Sequence, residues 1–228
     1  MTPERYQRIR QTLDCRQPDL TVVTDQMHKP RNIAALVRTA DAVGISDIHL
    51  VWSDVGLRSY KGTAMGSQQW VSIHKHTDVE TSLNELRAGG LRIYAAHFSE
   101  KSIDYRQVDY TVPCALLLGN EKSGVSDVAA ELADEHLRIP MMGMVESYNV
   151  SSAAAIILAE AQYQRAQKGF YDKPRLLEEC YWQTFFRWAH PQVARFCEQK
   201  GVPFPDIDKK TGEIVEPAAW VRDHRLKQ

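Results

Sequence analysis

Arg138-Ile-Pro-Met-Met-Gly-Met-Val-Glu-Ser-Tyr-Asn-Val-Ser-Ser152, continuing through Ala153-Ala-Ala-Ile-Ile-Leu-Ala-Glu160 to Gly169, decides how this chain reads. A short apolar segment is halted by Pro140. A loop follows that carries Met141, Met142 and Met144 around Gly143, with Ser147 and Asn149 at its far end. Val150, Ala154, Ile157 and Ala161 then recur at the spacing of one helical face, and Gly169 is a natural stop. Glycine permits close backbone approach, methionine gives a soft apolar lining, and a helix start offers unpaired N–H groups. Such a loop suits a ligand with a flat apolar face and a polar tail. The plainer alternative is a connection whose methionines fill gaps in a core.

Working outward, the 228 residues suffice for one sizeable domain with additions. With 43% hydrophobic and 25% charged residues the composition is that of a globular protein. The formal net charge of -1 means that any nucleic-acid site must be a local patch. The first ten residues lack the apolar core of a signal peptide, and no apolar run approaches a membrane span. Four cysteines without a CxxC pair read as reduced thiols, so a cytoplasmic protein is expected.

Short β-branched or apolar runs alternate with amphipathic helices, which predicts an α/β class with a mostly parallel sheet. A helix is expected over residues 3–16, then a strand at Leu20-Thr-Val-Val-Thr24, and a helix capped by Asn32 and stopped by Gly44. Strands follow at Asp47–Trp52, Trp70–His74, Arg92–Phe98, Ala115–Leu118 and His136–Ile139, with a short helix over Thr63–Gln69 and a capping box of Thr77 and Glu80. The expected domains are an N-terminal helix (1–19), a core (20–169) and a helical extension (170–228) rich in aromatics. From Lys173 to Gln228 the extension holds 10 Lys and Arg against 8 Asp and Glu, so it is near neutral. Ligands of open α/β sheets bind at strand carboxyl ends. Three polar, glycine- or proline-bearing segments fall there: 25–32, 119–124 and 140–149.

Gly119-Asn-Glu-Lys-Ser-Gly124-Val-Ser126 approaches a P-loop, but the obligatory Lys position is Val125. No G-x-G-x-x-G, HExxH or G-x-S-x-G is present, and the scattered histidines have no metal-ligand spacing, so no metal is expected.

Asn32-x5-Arg38, Gly119-Asn-Glu121-x2-Gly124 and Ile139-Pro-Met-Met-Gly-Met-Val-Glu-Ser-Tyr-Asn149 resemble, in order and spacing, the three motifs of the SPOUT methyltransferases of the TrmH family. The resemblance covers residues 20–165. It implies a C-terminal segment threaded into a deep trefoil knot that holds S-adenosylmethionine, with Ala96, His97, Gly119, Ile139, Met144 and Tyr148 around the cofactor. Tyr148 stands where the family usually has Leu. The resemblance further implies transfer of a methyl group to the ribose 2'-hydroxyl of a tRNA guanosine, with Arg38 at the catalytic centre and Asn32, Glu121, Ser147 and Asn149 shaping it. Arg38 is then either the proton acceptor or a phosphate clamp. Arg5, Arg8, Arg10, Lys29 and Arg31 are the expected RNA contacts. A homodimer built on the Asn149–Ala161 helix is also expected, which substitution of Ala154 would break. The alternatives are a ribosomal-RNA ribose methyltransferase, whose relatives commonly carry an added N-terminal RNA-binding domain, and a noncatalytic tRNA-binding protein.

Overall fold

The computed structural model describes residues 1–52 and 69–225, and it divides into two compact units. The larger, Arg16–Lys173, is built on a strand buried at every position, β1 (Leu20–Asp25). β-Branched residues on both faces of such a strand require cover on both sides. The cover is supplied by a seven-stranded sheet in the order β3-β2-β1-β6-β4-β7-β5, parallel throughout. The other strands are β2 (Asp47–Val51), β3 (Ser72–His76), β4 (Arg92–Ala96), β5 (Ile103–Asp104), β6 (Cys114–Leu118) and β7 (Glu135–Arg138).

Alternate side chains feed two cores. Val22, Leu116 and Leu118 join the side covered by α2 (Pro30–Ala42) and α5 (Val150–Gln167). Val23, Ala115 and Leu117 join the side that includes α3 (Val79–Ala88) and α4 (Asp127–Glu131). In α5 the expected face is buried at Ala154, Ile157 and Ala161, and it continues to Arg165. That guanidinium is fully enclosed. It donates to Tyr110 O (2.8 Å), Asp19 Oδ1 (2.6 Å), Asp19 O (3.2 Å), Val112 O (3.1 Å) and Gln17 Oε1 (3.1 Å). A buried charge is tolerable only when its donors are matched in this way.

Three local expectations need correction. Asn32 does not cap its helix: Lys29 does, in an extended conformation, with Pro30 in the first turn. Proline's fixed φ and missing N–H fit a first helical turn, so the helix starts earlier and Asn32 turns inward, 6% exposed. The next helix is capped by Asp78, whose carboxylate accepts from Thr81 N at 2.7 Å, rather than by Thr77. The third strand runs Ser72–His76, two residues later than Trp70–His74. The expected helix over Thr63–Gln69 falls, apart from Gln69, outside the described residues.

The smaller unit combines Met1–Cys15 with Pro174–Gln228, so the first helix shares a unit with the extension. It contains α1 (Pro3–Asp14), α6 (Glu178–Ala189), α7 (Pro191–Lys200) and α8 (Pro217–Arg225). Ile9 and Leu13 of α1 and Tyr181, Phe185, Phe186 and Trp188 of α6 are buried.

Candidate active site

The carboxyl ends of β1, β6, β4 and β7 lie side by side in the sheet. β1, β6 and β7 each feed one of the polar loops marked by the sequence. After β6 the chain makes a closed turn: Asn120 N donates to Gly124 O (2.8 Å) and Gly124 N to Asn120 O (2.9 Å). A Cβ on Gly119 would stand 2.0 Å from the carbonyl carbon of Gly124, so the two arms of this turn meet backbone to backbone and only glycine fits.

Glu121 projects from that turn and gathers the other motifs. Its Oε1 accepts from Asn32 Nδ2 at 2.8 Å and from Lys29 N at 3.2 Å. Asn32 Oδ1 accepts from Asn149 Nδ2 at 3.4 Å, and Asn149 caps α5 by accepting from Ser151 N at 2.9 Å. One residue from each of three distant segments is thereby joined in a single chain of hydrogen bonds. Glu121 is almost enclosed, its side chain 5% exposed; Oε2 lies 3.3 Å from His28 Nδ1, without hydrogen-bond geometry. Burial pushes this carboxyl up. The hydrogen bond from Asn32 and the surrounding backbone N–H groups outweigh that effect and hold it below the usual carboxylate range.

The remaining expected residues occupy distinct places. Ala96 ends β4, half-buried, and His97 N donates to Leu137 O at 3.2 Å. The His97 imidazole meets His136 edge-on; burial first, and then His136, lowers it below its ordinary value. Ile139 is half-buried just past β7. Met144 is 99% and Met142 94% exposed, so these methionines do not fill a core, and Ser147 and Tyr148 are exposed beside them. Arg38 is exposed on α2, six residues beyond Asn32 and therefore roughly 240° around the helix from it. A cavity of about 520 Å³ lined by Lys101, Asp127, Glu131, Asp134 and Glu135 shares no residue with the Asn32–Glu121–Asn149 network.

Of the expected RNA contacts, Arg5, Arg8, Lys29 and Arg31 are exposed. Arg5 donates to Trp188 O at 2.9 Å. Arg10 donates to Tyr181 Oη (2.7 Å) and Tyr6 Oη (2.9 Å), and lies 5.2 Å from the Trp182 ring centroid, so it is engaged within its own unit. Sequence reasoning missed the backbone N–H of Lys29 as a partner of Glu121, because main-chain donors carry no residue signature. Among the described residues, no group of three His, Cys, Asp or Glu side chains converges as a metal site, and no helix is long and apolar enough to cross a membrane.

Residues 19–159 match the model of the SpoU rRNA methylase family, and residues 163–217 match that of the SpoU rRNA methylase C-terminal region. The chain belongs to the SpoU methylase family. Within it the chain is a SPOUT enzyme of the TrmH group, as its three motifs suggest. It is 42% identical to the Escherichia coli K12 tRNA (guanosine(18)-2'-O)-methyltransferase, over 96% of each chain. The crystal structure of the Aquifex aeolicus TrmH/SpoU tRNA-modifying enzyme superposes with a TM-score of 0.77 at 40% identity, covering 83% of this chain and 97% of that one. An AdoMet-bound rRNA methyltransferase from Sinorhizobium meliloti superposes at 0.58 with 33% identity, over 67% of this chain and 59% of that one. The solved structures similar to this chain thus include both a TrmH/SpoU enzyme and an AdoMet-bound methyltransferase.

Proposed function

We propose that this SpoU methylase transfers the methyl group of S-adenosylmethionine to the ribose 2'-hydroxyl of guanosine 18 in the D-loop of tRNA, the reaction named for its E. coli relative. The observation that carries the reading is the convergence of Asn32, Glu121 and Asn149 at the carboxyl end of the sheet. The chain matches the tRNA enzyme along 96% of both lengths, and this favours tRNA over ribosomal RNA. Its four cysteines are free thiols, in keeping with a cytoplasmic enzyme.

The residues present fit the cofactor. Glu121 Oε2 is a buried polar atom without a hydrogen bond, and the 139–148 loop presents exposed main chain beside the apolar side chains of Met142 and Met144. Gly119, Ile139, Met144 and Tyr148 would hold the adenosine, with Ala96 and His97 at the neighbouring strand end. S-adenosylmethionine supplies a methyl group on a cationic sulfur, an electrophile that needs no metal. We infer that the 139–149 segment is threaded as a trefoil knot; the match of residues 19–159 to the SpoU methylase family supports this.

Given such a donor, the protein's task is alignment. Glu121 and Asn149 fix Asn32, and with it the start of α2. Arg38, farther along α2, reaches the RNA: a guanidinium is effectively always charged and grips phosphate through a planar fork, which orients the attached ribose. Because Arg38 and Asn32 point in different directions, the site reads best as shared between two copies. The exposed Ala159 and Tyr163 and half-buried Ala155 and Ile156 of α5, together with Phe98 (81% exposed), support a homodimer. Arg8, Lys29 and Arg31 would meet RNA phosphates.

The test is methyl transfer from labelled S-adenosylmethionine to total tRNA and, separately, to ribosomal RNA, with the modified nucleoside located by mass spectrometry. The reading expects label on one guanosine ribose in tRNA. Label on a base, or on ribosomal RNA alone, refutes it.

A further inference from the structure

The last residue of β1, Asp25, is a carboxylate only 2% exposed. Burying such a group is costly, and a residue serving only to fill that space could be apolar. One of its oxygens is used: Oδ2 accepts from Ser126 N at 2.8 Å. The other, Oδ1, has no partner. Neighbouring Thr24, in register with Leu118 of β6, likewise buries an unbonded Oγ1. Thr24 faces the opposite side of the sheet, so the account is needed for Asp25 itself: a buried carboxylate with one oxygen committed to a main-chain donor and the other left over.

The account lies in how the Gly119–Val125 turn is held. The turn is closed on itself by the paired Asn120 and Gly124 hydrogen bonds and by the backbone contact at Gly119. It therefore moves as a block, and its orientation depends on how its ends are fastened. Its two ends are each tied to the end of β1, while Glu121 in its middle bonds Asn32 and Lys29 N. At the entry, Asn120 Nδ2 donates to Gln26 O at 2.8 Å. At the exit, Ser126 N donates to Asp25. Gln26 is itself fixed in the left-handed region (φ 55°), with its N–H donated to Val51 O at 3.1 Å. Released at the exit, the block would pivot on the entry tie and carry Glu121 away from Asn32 and Lys29.

We propose that Asp25 is a positioning residue for the reaction: by accepting from Ser126 N it sets the angle of the Gly119–Val125 turn, and so the position of Glu121 and of the main chain that faces the cofactor. The proposal rests on the methyltransferase reading of that site. It requires an acceptor at Asp25, not a charge.

Three variants test it: Asp25→Ala removes the acceptor, Asp25→Asn keeps one, and Ser126→Pro removes the donor at a residue whose φ of -67° suits proline. Amide hydrogen exchange over residues 120–126 should quicken by about tenfold or more in Asp25→Ala and Ser126→Pro, and stay near wild type in Asp25→Asn. The KM for S-adenosylmethionine should rise about tenfold in the first two, with kcat at saturation and the KM for tRNA within about threefold. Asp25→Asn should behave as wild type, which a loss of charge or of general stability would not produce. Unchanged exchange or an unchanged cofactor KM in Asp25→Ala overturns the proposal, as does an Asp25→Asn variant as impaired as Asp25→Ala. Should Asp25→Ala not fold, Ser126→Pro is compared with Ser126→Ala, which loses the same α4 cap but keeps the main-chain donor and should stay near wild type. If wild-type protein methylates no RNA, the functional reading fails, and exchange alone still decides whether Asp25 fixes the turn.

Discussion

Arg38 shows how little a motif residue's neighbours need resemble its task. It sits on the exposed side of α2, while Asn32 of the same motif is buried against Glu121. A surface ion pair would survive exchange of one cation for another. A guanidinium that holds a phosphate by two parallel hydrogen bonds would not. Arg38→Lys is therefore expected to lower kcat by roughly 100-fold with the fold intact, measured as initial rates of tRNA methylation beside a thermal melt. Turnover within a fewfold of wild type would remove Arg38 from the site. At this scale the motif residues were legible as residue types, and the structure joins three of them, Asn32, Glu121 and Asn149, through side-chain hydrogen bonds. Asp25 and Lys29 were not legible. Asp25 reads as the start of a polar loop but ends the strand as a buried acceptor, and Lys29 acts on Glu121 through its main chain.

At the scale of elements, hydrophobic period revealed α5 and its buried face, yet the same face ends in Arg165, a residue that composition alone assigns to solvent. Its five donated bonds reach the 16–19 segment and the 110–112 segment, so one guanidinium ties the long helix to the starts of β1 and β6. Arg165→Met fills similar volume but orphans several buried acceptors. The expected loss is about 3–5 kcal/mol in urea denaturation, and a loss below about 1 kcal/mol would show that water replaces the guanidinium. The β2–β3 edge makes a different prediction. Burial, then the adjacent His74 and His76, push the His49 imidazole down to about 4. Its neutral form belongs to the folded state, so the associated stability is complete above the ordinary imidazole value near 6.5 and is lost as pH falls towards 4. His49→Gln should flatten stability between those limits, read by denaturation at a series of pH values. An unchanged slope would place the titration elsewhere. Helix starts were less legible than helix faces, because Pro30 and Asp78 outcompete the nearby Asn32 and Thr77 on local backbone geometry that periodicity does not report.

For the whole molecule, the proposed homodimer turns on the outer side of α5. Ala154, the position singled out from sequence, is fully buried inside its own subunit, so a charge there would damage the core rather than an interface. Ala159 is the discriminating site, exposed within a helix of small and apolar residues. Ala159→Glu is expected to halve the mass seen by sedimentation at micromolar concentration and to abolish methylation, with little effect on the secondary structure of each subunit. A wild-type protein fully active as a single chain would exclude the shared site.

The division of the chain into units has a temporal side. β1 pairs with β6, and Leu20 lies opposite Cys114, 94 residues later. At synthesis rates of about 5–20 residues per second, the central strand emerges roughly 5–20 s before β6 exists to cover that edge. Helix α1 waits longer still. It is made before every strand of the sheet, yet its packing partner α6 begins only at Glu178, after the last of them. A nascent chain thus carries an amphipathic helix whose Ile9 and Leu13 face waits for α6 until every strand of the sheet has been made, so an element made early finds its place late.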